Sequence, residues 1–83
     1  MDSRMRDWIV SISMPCGQGT RTWALKTGTA RAALNKATAR DNRFGADFEN
    51  TGMVLIGVRL AKEGEIPHPL SGQEVRLLVD TTR

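Results

Sequence analysis

The side chains able to carry acid–base, nucleophilic or metal chemistry are few and scattered. The 83-residue chain has one cysteine, Cys16, and one histidine, His68. Nucleophilic catalysis needs a Ser, Cys or Thr beside a base that a third group holds. A Cys16–His68 dyad would depend on the fold bringing a turn and a distant loop together. His68 stands in Ile66-Pro67-His68-Pro69-Leu70, where two prolines make it a rigid spacer rather than a base. One Cys and one His cannot close a structural zinc site. The carboxylates Asp41, Asp47 and Glu49, and the pair Glu63 and Glu65, sit among polar loop residues. General acid–base work needs one carboxyl desolvated and its partner wet, so these read as solvated acids. Asp47-Phe48-Glu49 lacks the ligand count of a calcium loop. Cys16-Gly17-Gln18-Gly19 contains Gly-x-Gly, but a phosphate cradle needs a helix to follow it, and here a strand is expected. It reads as a tight turn. No catalytic residue, metal or cofactor is expected, and the chain is read as not an enzyme.

The basic residues are the more informative feature. The chain carries 12 Lys and Arg against 9 Asp and Glu, for a net charge of +3. The excess is uneven. Residues 1–43 hold eight basic and three acidic groups (8 − 3 = +5), and residues 44–83 hold four and six (4 − 6 = −2). An anionic partner would be steered to the first half. Lys36, Arg40 and Arg43 fall on one side of a predicted helix and its end, with Arg31 set apart; Arg21, in the hairpin, extends the patch. Such a stripe can neutralise phosphates, each contact adding salt dependence. The competing reading is a solvated helix face, since cations near a helix C-terminus are favourable with its dipole.

The elements that position these groups follow from periodicity. Residues 1–7 are polar and expected to be loose. Trp8, Val10, Ile12 and Met14 alternate with Ile9, Ser11 and Ser13, the period of a half-buried strand, which Pro15 ends. A second strand, about Arg21–Thr27, turns Trp23 and Leu25 one way and Thr22, Ala24 and Lys26 the other. The two form a hairpin. Thr29 is the expected N-cap of a helix over Ala30–Asp41, whose apolar stripe is Ala30, Ala33, Leu34 and Ala37. A connection holding Phe44 and Phe48, as lids on the core or as exposed anchors, leads to a strand over Met53–Leu60. Val54, Ile56, Val58 and Leu60 face inward. Residues 61–73 read as loop, and Val75, Leu77 and Val79 of a last strand, Glu74–Asp80, face inward.

These elements predict one small α+β domain over residues 1–83: a single four-stranded, antiparallel-rich sheet with one helix on one face. The order is β-β-α-β-β along the chain and 2-1-3-4 across the sheet. Strand 2 or strand 4 is then an open edge. The outward sheet face presents Ile9, Lys26, Leu55, Arg59, Arg76 and Leu78, with Ser11, Ser13, Thr22, Ala24 and Met53. It carries no aromatic to stack on bases, which argues against an RNA-reading sheet, while its mixed basic and apolar character fits a protein interface.

The function expected is a small non-enzymatic binding module. Its basic first half, through Arg21, Arg31, Lys36, Arg40 and Arg43, would contact an acidic protein surface or, in first place, nucleic acid. Contact would be with phosphates and would read little sequence. In size and lack of catalytic groups the chain also resembles short accessory proteins of phages and mobile elements. That likeness implies the alternative: a protein that binds and inhibits a host protein, as anti-CRISPR proteins do, through the outer sheet face or an edge, with a homodimer as one form it can take. One cysteine permits no internal disulfide. With neither a secretory leader nor an apolar run long enough for a membrane span, a cytoplasmic location without membrane contact is expected.

Overall fold

The computed structural model describes residues 4–13, 19–41 and 55–81. The elements run β1 (Arg6–Ser13), β2 (Thr20–Thr27), α1 (Ala30–Arg40), β3 (Leu55–Leu60) and β4 (Val75–Asp80). This is the expected α+β domain with one antiparallel four-stranded sheet and one helix. Met14, Cys16, Arg43, Phe44, Asp47, Phe48, Glu49, Met53 and Val54 lie outside the described residues.

The strands form because their side chains alternate. Trp8, Val10 and Ile12 of β1 meet Leu25, Trp23 and Arg21 of β2 on one face. On that face Val10, Ile12, Trp23 and Leu25 pack with Ala33 and Ala37 of α1, flanked by Trp8, Val58 and Val75. Alanines at the contact let the helix lie close on bulky strand side chains. Thr29 caps α1 by accepting the Ala32 N–H at 3.2 Å. Asp41 closes the other end, its own N–H donating to the Ala37 carbonyl at 2.9 Å.

The strand order is β3-β1-β2-β4. Two neighbours agree with the expected order, β1 beside β2 and β1 beside β3. The third does not: β4 pairs with β2 rather than β3, so the edges are β3 and β4, and strand 2 is internal. The connection through residues 61–74 explains the difference. It crosses the sheet on the side away from α1, where Leu70 is buried against Ile9 and Ala24, with Ala61, Ile66 and Leu78 packed alongside. Crossing there carries the chain past β1 and β2 to the far edge. The β1–β2 hairpin is thus clasped between a helix and a loop.

Three further differences follow. Strand β1 starts at Arg6 rather than after residue 7, because Arg6 and Asp7 still pair with Thr27 and Lys26. Ile9 is only 1% exposed, because the loop covers the face expected to be open. Val79 is not an inward residue. Leu77 lies opposite Trp23 but Val79 opposite Thr22, so Leu78 has no Cα partner. This bulge shifts the alternation. Leu78 and Val79 both turn to the loop side, and Asp80 comes opposite Arg21 on the helix side.

Candidate nucleic-acid interface

The charged side chains sort by face. On the loop side every sheet cation is matched. Lys26 lies 3.3 Å from Asp7. Arg59 holds Glu65 with two prongs, Nη1 donating to Oε1 at 2.7 Å and Nη2 to Oε2. Arg76 holds Glu74 through Nε at 2.7 Å and donates to the carbonyls of His68 and Pro69 at 2.8 and 3.2 Å. The hydrogen bonds from Arg59, and secondarily the Lys62 N–H, lower the Glu65 pKa to about 2. Those from Arg76, then the Ser71 N–H, do the same for Glu74. With Lys62 and Glu63 of the crossing loop, this side has four cations and four acids among the described residues.

The helix side is different. Arg21 donates from Nη1 to Asp41 Oδ1 at 3.0 Å and lies 3.5 Å from Asp80. Those are the two acids of this side among the described residues, and Arg21 reaches both. Besides Arg4, which precedes β1, the remaining described cations are Arg6, Arg31, Lys36 and Arg40. Arg6 has the helix-side parity of Trp8 and is exposed; Arg31 and Arg40 are exposed on α1. Among the described residues, none of these three arginines has a hydrogen bond or ion pair. Lys36, half-buried, donates to Gln73 Oε1 at 3.3 Å, a neutral partner that leaves its charge uncompensated. Among the described residues, and before Arg4 is counted, five cations against two acids leave this face at +3.

Of the expected nucleic-acid residues, Arg31, Lys36 and Arg40 share that face. Arg21 is on it too but is held by two carboxylates. Arg43 lies outside the described residues. Arg6 was missed because it falls in a stretch without an apolar pattern; its alternation with Trp8 was the available signal. Of the expected protein-interface residues, Leu55 is 66% exposed at the β3 edge. Ile9 is buried beneath the loop and closed to a partner, and Leu78 is half-buried against the same cluster. Lys26, Arg59 and Arg76 are bound in ion pairs.

Neither tryptophan is available to stack on a base. Trp8 donates Nε1–H to the Thr27 carbonyl at 3.0 Å, and Trp23, 7% exposed, donates to Asp41 Oδ2 at 3.3 Å. His68 is exposed in its loop. Among the described residues no group of three His, Cys, Asp or Glu could hold a metal ion, and no helix is long and apolar enough to cross a membrane. Comparison with protein-family models, curated proteins and solved structures finds no match.

Proposed function

We propose that the protein is a non-enzymatic binding module whose helix-bearing face engages the phosphate backbone of nucleic acid. The observation that carries this reading is the separation of charge. Among the described residues the charges of the loop side balance, while the helix side keeps Arg6, Arg31 and Arg40 unpaired. Unpaired surface arginines can release counterions from phosphates without first breaking an internal ion pair. The absence of an exposed tryptophan supports contact with the backbone rather than with bases.

The test is fluorescence anisotropy with labelled DNA and RNA at low and moderate salt. The expected result is binding that weakens steeply with salt and is lost in Arg31→Glu/Arg40→Glu, while Arg59→Gln binds as the parent does. Absence of binding at low salt overturns the reading.

A second reading, an accessory protein that captures a host protein, is supported by the exposed apolar residues of the edge strands: Leu55 on β3 and Val79 on β4. The covered loop-side face leaves the edges as its route, whether to a host protein or to a second copy. Leu55→Lys/Val79→Lys would abolish that interaction and leave nucleic-acid binding intact.

A further inference from the structure

We infer that the helix-bearing face grips B-form double-stranded DNA across its major groove, with Arg31 and Arg40 on the phosphates of its two walls. This rests on the nucleic-acid reading above and names the form of the partner. Arg31 and Arg40 are nine residues apart on α1. At 1.5 Å per residue their Cα atoms are separated by about 13.5 Å along the axis. Nine residues are also about two and a half turns, so the two side chains leave opposite sides of the helix. The B-DNA major groove is about 12 Å wide. A helix laid across that opening reaches one strand's phosphates with each end.

The exposed residues between the two arginines are Asn35 and Ala39. Both are short, and Lys36, half-buried between the arginines, is turned to Gln73. Both guanidiniums are unengaged among the described residues, whereas Arg21, nearer the helix C-terminus, is fixed by Asp41 and Asp80. Two charges at a set spacing on one rigid element fit a partner with two phosphate walls at a set spacing. A single strand has no such walls and is ordinarily held by stacking on aromatics, which this face does not offer among the described residues. The major groove of A-form RNA is too narrow and deep for a helix laid in this way.

The deciding experiment compares a short DNA duplex, its single strand and the matching RNA duplex, by anisotropy, with the intact chain. The DNA duplex is expected to bind tighter than either by about tenfold or more, since only it supplies both the spacing and the groove. Removing Arg31 or Arg40 should flatten the slope of log affinity against log salt by about 0.9 each. The variant Asn35→Arg/Arg40→Ala keeps the charge but shortens the span to about 6 Å. It should keep single-strand affinity and lose the duplex preference. Equal affinity for the three ligands, or a duplex preference that survives this variant, removes the groove inference while the phosphate reading stands. Failure of all three ligands to bind at low salt removes the phosphate reading itself.

Discussion

Arg21 on β2 donates to Asp41, the C-cap of α1, at 3.0 Å, and the Asp41 side chain is fully buried. The same carboxylate accepts the Trp23 indole N–H at 3.3 Å. One acid thus joins the end of the helix to two side chains of an inner strand. Its negative charge is tolerated inside because a cation and a neutral donor both address it.

Removing that carboxylate should be costly. Asp41→Ala removes the acceptor of the Trp23 N–H and the 3.0 Å carboxylate partner of Arg21. Loss of one partner from a buried pair costs about 3–5 kcal/mol. Asp80→Ala, by contrast, breaks a half-exposed pair at 3.5 Å, where about 1 kcal/mol or less is expected. Urea denaturation of the two variants checks the ranking. Equal losses would mean that Arg21 is anchored as much by β4 as by the helix cap.

Acid should weaken the loop side in a defined window. The carboxyls of Glu65 and Glu74 are lowered from 4.5 to about 2 in the folded chain by their arginine partners. Between these values the unfolded chain binds more protons than the folded one, so protonation favours unfolding. The stabilisation is present above about pH 4.5 and is lost as pH falls toward 2. Both pairs are open to solvent, so salt should blunt the effect. The urea midpoint of Glu65→Gln/Glu74→Gln should fall less than that of the parent over this window at low salt. Parallel curves would show that other carboxyls govern acid unfolding.

The helix can sit where it does only because its contact residues are small. Ala33 and Ala37 are fully buried against the sheet. Ala37→Leu would drive a branched side chain into the layer holding Ile12 and Trp23. Overpacking of this kind costs about 1–3 kcal/mol. Thermal unfolding should show the loss. DNA affinity should also fall, because lifting α1 changes how Arg31 and Arg40 are presented. A stable variant with unchanged affinity would mean that the position of the helix on the sheet does not matter to binding.

The parts of the fold legible in the sequence were those written in alternation and in caps. The parity of Trp8, Val10, Ile12, Trp23 and Leu25 assigned the helix-side core, and Thr29 marked the helix start. What failed was set by chain segments without periodicity. Nothing in residues 61–74 signals that they cross beneath β1 and β2, so the burial of Ile9 and the placing of β4 beside β2 were hidden. The bulge at Leu78 leaves no mark in an apolar run, so Val79 was given the wrong face. For the candidate site, Arg31, Lys36 and Arg40 were visible from helical spacing. The engagement of Arg21 was not, since it needs Asp41 and Asp80, 20 and 59 residues further along the chain, to converge on it.

The crossing loop also makes a prediction about which exposed-looking leucines matter. Leu70 is 6% exposed and roofs Ile9 and Ala24. Leu70→Ala opens a cavity over them, and truncation of a buried leucine costs about 2–5 kcal/mol; a short chain has little stability to spare. Leu55 stands free at the β3 edge, so Leu55→Lys should change stability by no more than about 0.5 kcal/mol. Sequence parity gives Leu55 and Leu78 the same standing on the outward face, yet Leu78→Lys should cost more than Leu55→Lys, because it removes apolar packing against the cluster of Ile9, Ala24 and Leu70. Chemical denaturation of the three variants separates the cases. Should Leu70→Ala and Leu78→Lys both unfold with the parent's midpoint, the loop does not hold that face closed, and Ile9 becomes available to a partner after all.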